Sequence, residues 1–185
     1  MGAILRVVGS WGLVMAAVAG VFAAADRLPA LILGSAHGAR VYETVEEAER
    51  ALGGRLWIPA YFPDTLAWPP TRIQAVPGSP PVVAVHLSAR DGTADALVVC
   101  QSLGAPGQPG AFGAALGRLL PEGEVMTATA VDVNGRSARL SRVLAAGGQL
   151  VHDLGWDEGG RSIVLRSAGP VDQLLLMANS LGGPR

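Results

Sequence analysis

His86, Cys100 and the acidic residues around Asp157 are the side chains of this sequence whose types could do covalent or proton-transfer chemistry. A thiol beside an imidazole forms a nucleophile–base pair. His86 and Cys100 fall in two neighbouring strand-like runs, residues 82–88 and 96–103, joined through Arg90-Asp91-Gly92-Thr93. The turn register between the runs is ambiguous, and a small buried cysteine near an unrelated histidine is the plainer reading. Asp153, Asp157 and Glu158 could be drawn as a glycosidase-like acid pair. However, Asp157 and Glu158 read as turn residues, and Asp153 alternates onto a polar strand face. His152 is expected on an apolar strand face, as a satisfied or rim histidine rather than a ligand.

Other chemistries lack their residues. Three histidines and one cysteine show no Cys-x-x-Cys, His-x-x-x-His or His-Glu-x-x-His spacing, so neither a metal site nor a cofactor is expected. No Gly-x-Ser-x-Gly elbow occurs. The Gly- and Pro-rich stretch 104–110 lacks the Lys and Ser/Thr of a phosphate-binding loop. The single Cys100 excludes an internal disulfide. All 14 basic residues are arginines, set against 15 acidic residues for a net charge of −1, so there is no field to draw nucleic acid. No catalytic residue is assigned, and the expectation is a protein that is not an enzyme.

A binding role has better candidates. Residues 56–81 are rich in proline and hold Trp57, Tyr61, Phe62 and Trp68. Proline cannot donate to a central ladder, so the stretch reads as an edge or extended segment wrapping the domain. Trp57, Tyr61 and Trp68 are the candidate ligand-binding residues, because aromatic rings on irregular, proline-stiffened chain can present a contact surface. The alternative is that these rings, with Phe62, fill a satellite core under the loop.

The elements that must position these residues are clearest between 125 and 181. Asn134-Gly135 is the favoured pair for a type I′ turn, where both central residues need positive φ. That turn sets Val133 opposite Arg136, Val131 opposite Ala138, Thr129 opposite Leu140, Thr127 opposite Arg142 and Val125 opposite Leu144. A second, four-residue turn at Asp157-Glu158-Gly159-Gly160 sets Trp156 opposite Arg161, Leu154 opposite Ile163 and His152 opposite Leu165. After Ala168 the spacing becomes helical, with Pro170 at the start, Val171, Leu174, Leu175, Ala178 and Leu181 as the apolar stripe, and Gly182 as the stop. Such a stripe must be buried, and the apolar hairpin face is the nearest surface. Upstream, Thr44 and Glu47 form a capping box for a short helix that ends at Gly53-Gly54. Its charged residues read as a solvated face. Residues 82–88 and 96–103 are apolar at nearly every position, so both faces of that strand pair should be covered. Residues 112–120 read as a short helix stopped by Pro121. The fold class is therefore α+β: an antiparallel sheet, a meander of hairpins, packed on a few short helices and preceded by an N-terminal apolar helix.

No charge occurs between Arg6 and Asp26, so residues 7–25 form an apolar run of bilayer-spanning length. The run ends in Ala23-Ala24-Ala25, the small-x-small pattern of a signal-peptidase site, and an uncleaved single-pass anchor is the alternative. The expected division is 1–25 as signal peptide or anchor, 26–41 as linker and 42–182 as the domain. The expected location is extracytoplasmic, in the periplasm or cell envelope.

The order of signals resembles the DUF4367 family. It is carried by Thr44-Val45-Glu46-Glu47-Ala48, Ile58-Pro59-Ala60-Tyr61-Phe62-Pro63, Val99-Cys100-Gln101, Val133-Asn134-Gly135, Trp156 and residues 174–181. The resemblance covers roughly residues 42–181. It implies an antiparallel sheet on helices, used outside the membrane as a sensing or binding module, in some members linked to anti-sigma factor proteins. With so few residues before the apolar run, a direct anti-sigma role is not expected here. The function expected is a non-enzymatic extracytoplasmic module that contacts a protein or envelope component. The alternatives are a carrier for an apolar ligand, such as a lipid or lipoprotein acyl chain, and behind it a hydrolase or redox enzyme.

Overall fold

Turn chemistry and strand alternation set out an eight-stranded antiparallel sheet with three helices among the residues that the computed structural model describes, 38–92, 95–105 and 110–182. The expected export segment lies outside the described residues, as does most of the expected linker. Strands β1 (Arg40–Tyr42), β2 (Arg72–Val76), β3 (Val82–Ser88) and β4 (Asp95–Ser102) form one up-and-down run. Strands β5 (Gly123–Val133), β6 (Arg136–Ala145), β7 (Leu150–Glu158) and β8 (Arg161–Ser167) form another. The two join where β8 pairs antiparallel with β4, giving the order β1-β2-β3-β4-β8-β7-β6-β5.

One face of the sheet carries the larger core. There Ile73, Val85, Val99, Leu154 and Leu165 pack with α1 (Val45–Leu52), α3 (Val171–Ser180) and the 56–68 segment, through residues such as Ala48, Leu56, Leu174 and Met177. On the other face Ala84, Val98 and Cys100 pack beneath α2 (Ala111–Leu119) through Ala115 and Leu119. Both faces of β3 and β4 are thus covered, as their continuous apolar runs require.

Local signals fix the helix ends. Thr44 Oγ1 accepts from the Glu47 N–H at 3.1 Å, while the Glu47 carboxylate accepts from the Glu43 N–H at 3.0 Å, one residue earlier than in the usual capping box. Gly53 ends α1 in the left-handed conformation with φ 67°. Pro170 precedes α3, rather than opening it, in an extended conformation.

The first hairpin keeps its expected register from Val133 opposite Arg136 to Thr127 opposite Arg142. Beyond that a bulge at Met126 intervenes, so Val125 faces Val143 instead of Leu144. The second hairpin differs by two positions. Trp156 faces Ile163, Leu154 faces Leu165 and His152 faces Ser167, because the turn is only Gly159-Gly160, with φ of 56° and 73°. Two consecutive positive-φ glycines close a two-residue turn, leaving Asp157 and Glu158 in the strand. An even slip preserves every side chain's face, so the core assignment survives the wrong register.

Two further expectations need correction. Residues 40–41, assigned to the linker, belong to β1. The proline-rich 56–81 stretch contains β2, which lies between β1 and β3 rather than at an edge. Its residues Arg72–Val76 contain no proline, so the ladder is not interrupted.

Candidate functional site

The turn end of the sheet brings together pieces far apart in sequence. The Asn134-Gly135 turn, with φ of 52° and 77°, meets the C-terminal end of α3. There the Asn134 N–H donates to Asn179 Oδ1 at 2.9 Å, and Asn134 Nδ2 donates to the Asn179 carbonyl at 2.8 Å. Alongside, Arg136 pairs with Glu158 at 3.0 Å, and the other Glu158 oxygen accepts from Trp156 Nε1 at 3.2 Å. The 56–62 segment closes the other side, its Ala60 N–H donating to the Ser180 carbonyl and its Tyr61 N–H to Ser180 Oγ. Between these pieces lies an open cleft of about 980 Å³, bordered by Trp57, Asn134, Arg136, Glu158 and Asn179.

Trp57 is held by buried polar chemistry. Gln101 is fully buried and, though a polar residue, is satisfied: its Oε1 accepts from the Trp57 N–H at 2.8 Å, and its Nε2 donates to the Trp57 carbonyl at 2.9 Å. Arg161 donates to the same Oε1 at 3.2 Å and to the Arg55 carbonyl at 2.7 Å. Its guanidinium also lies over the Trp57 ring, 4.7 Å from the centroid. Burial lowers the pKa of Arg161. Gly159 approaches the ring edge so closely that a Cβ there would sit 3.0 Å from it. The backbone and ring of Trp57 are therefore fixed before any ligand arrives.

Of the residues expected to bind a ligand, the structure places only Trp57 on this cleft. Tyr61 and Trp68 lie outside its lining, 41% and 56% exposed, and Trp68 leans on Phe62 with ring centroids 5.8 Å apart. Trp57 and Phe62 also pack against the main core, so the segment is partly core and partly surface. Sequence reasoning missed Asn134, Arg136, Glu158 and Asn179 as cleft residues. Asn134 was legible only as a turn former. Its meeting with Asn179 is a tertiary contact with no local signal.

The histidine–cysteine pair resolves differently. His86 and Cys100 share a sheet face, but His86 is opposite Val98, and Cys100 is opposite Ala84. His86 Nδ1 instead bonds Asp95 Oδ2 at 2.8 Å, with Arg72 beside both at 3.4 Å. The His86 hydrogen bond is the main cause holding the Asp95 carboxyl below its usual range. His86 Nε2 is buried without a hydrogen-bond partner among the described residues. Burial pushes the Cys100 thiol well up, which disfavours the thiolate that chemistry would need. The acidic residues also separate. Asp153 takes a bidentate pair from Arg166, with both contacts at 2.7 Å, and Asp157 accepts from Ser162 Oγ at 2.6 Å. His152 is paired across the sheet with Ser167, its Nδ1 buried without a hydrogen-bond partner among the described residues. Among the described residues no group of three or more His, Cys, Asp or Glu side chains is arranged to hold a metal ion, and no helix is long and apolar enough to cross a membrane.

Compared with protein-family models, curated proteins and solved structures, the chain matches none. The DUF4367 resemblance thus rests on the quoted sequence motifs alone.

Proposed function

We propose that this protein is a non-enzymatic extracytoplasmic binding or sensing module whose contact surface is the cleft at the turn end of the sheet. The observation that carries the reading is the pre-set frame of that cleft: a tryptophan pinned by buried Gln101 and stacked under Arg161, facing amide and ion-paired side chains from two hairpins and α3. Rigid placement before binding lowers the ordering cost of association, which is how a contact site gains affinity. The cleft is open and rimmed by polar groups, so it suits a polar segment of a protein or envelope polymer better than an acyl chain. The apolar run at residues 7–25 and the resemblance to DUF4367 support an address outside the membrane.

A photo-crosslinking residue at Asn179, in cells producing the full chain, tests the reading. A discrete envelope adduct that disappears with Trp57→Ala, while the variant remains folded, is expected. An adduct indifferent to Trp57, or one formed equally from a crosslinker at exposed Glu46, contradicts it.

A further inference from the structure

The sheet ends in two unlike edges. β1 is only 3 residues long, the short kind of edge that resists pairing. At the other end β5 runs for 11 residues and, among the described residues, pairs only with β6, leaving alternate backbone N–H and C=O groups of its outer side without a neighbouring strand there. It is exposed from Gly123 to Ala130, including Val125 and Met126 at 53% and 54%. It carries no lysine or proline to discourage an added strand.

Charge says what would sit there. The middle of β5, Thr127 to Ala130, has small side chains, and behind it on β6 stand Arg142, opposite Thr127, and Arg139, opposite Ala130. Both arginines are exposed, and neither is in an ion pair among the described residues. On their inner side they face His152 and Gly155 of β7, so no carboxylate is paired directly opposite either of them. Their odd spacing puts one on each face of the sheet. On Arg139's face, a shallow hollow of about 490 Å³ runs past Ala128, Ala130 and Gly155. Asp157 borders its far side and is engaged with Ser162, while Asp132 is turned back onto the Gly135 N–H. β5's own acids, Glu124 and Asp132, stand near its two ends.

We propose that the outer edge of β5 takes an extended, acidic segment of a partner protein as an added strand, with one carboxylate reaching over Ala130 to Arg139 and another over Thr127 to Arg142. Main-chain bonds along the edge supply the affinity, and the two arginines select the partner. A second copy of this chain is the poorer occupant. Antiparallel pairing centred on Ala128 would set the copy's Thr129 against Thr127 and its bulged Val125-Met126 against Ala130, bringing a carboxylate to neither arginine. This surface is separate from the cleft, so it stands or falls independently of the reading above.

The test uses the full-length chain in detergent with two blocked peptides of alternating Thr and Val, one carrying a glutamate on each face and the other glutamine at the same places. The acidic peptide is expected to bind about tenfold tighter, a difference that two exposed ion pairs can supply. The Arg139→Ala/Arg142→Ala chain should bind both peptides equally. N-methylating the acidic peptide on the amides facing β5 should abolish binding, and methylating the alternate amides should spare it, without altering the protein at all. Equal binding of the two peptides to the unaltered chain, indifference to the methylation phase, or a chain already dimeric through β5 would overturn the proposal.

Discussion

Gly135 holds a φ of 77°, and a Cβ built there would meet no atom within 4 Å, so any cost of a side chain is purely conformational. Gly135→Val should destabilise the domain by about 1 kcal/mol or more, since a β-branched residue is poorly accommodated at positive φ. A thermal melt reads this directly, and an unchanged midpoint would remove the turn as the origin of the hairpin register. Asp95 gives a second prediction at this scale. Its carboxyl is held below its usual pKa, chiefly by the His86 hydrogen bond, so its contribution to stability is present above the unfolded-chain value and lost as the pH falls through the folded one. Urea midpoints of the wild type and Asp95→Ala should therefore differ above about pH 4 and converge below it. A gap that stays constant into strong acid would mean that the charge of Asp95 contributes nothing. At this scale the sequence was informative wherever a residue acts through its own backbone, as Asn134, Gly135 and Gly53 do. It was silent on His86, whose partner Asp95 lies past a bulge on the next strand that no spacing rule locates.

Among the elements, β7 and β8 depend on a polar pair as well as on apolar contacts. Asp153 and Arg166 face each other across the two strands, only 19% and 13% exposed, and Arg166 also donates to the Pro121 carbonyl below α2. Asp153→Ala should cost about 3 kcal/mol, because it strands a largely buried guanidinium whose other partner is a single carbonyl. Replacing both residues should cost less than the sum of the single changes, and strict additivity in chemical denaturation would show that the pair is uncoupled. α3 is anchored by Leu174, fully buried against the main core. Leu174→Ala is expected to lose about 2–5 kcal/mol, and a loss below about 1 kcal/mol would mean that the helix is not docked as described. The helix and its apolar stripe were legible because they follow from local periodicity. Residue types place the second hairpin two positions out of register because Asp157 and Glu158 are ordinary turn residues, and only the two positive-φ glycines decide that the turn is shorter. β2 was hidden by the prolines flanking it on both sides.

On the scale of the whole molecule, two meanders joined through β4 and β8 leave the Asn134 turn, the Glu158 strand end, α3 and the 56–62 segment at one end of the sheet. Sequence gave the hairpins and the helix separately. Their convergence into a cleft depends on strand order, which local patterns do not encode. The export expectation has its own check: residues 1–40 fused to a reporter active only after export should give activity, and a reporter retained in the cytoplasm would take away the extracytoplasmic assignment. The most direct test of the central claim, that the cleft is the contact surface, is an amide NMR map of the isotopically labelled chain titrated with the purified envelope component crosslinked at Asn179. Perturbations concentrated at Trp57, Asn134, Glu158 and Asn179, with the component released chemically unchanged, are the predicted result; perturbations confined elsewhere, or chemical conversion of the component, would contradict it.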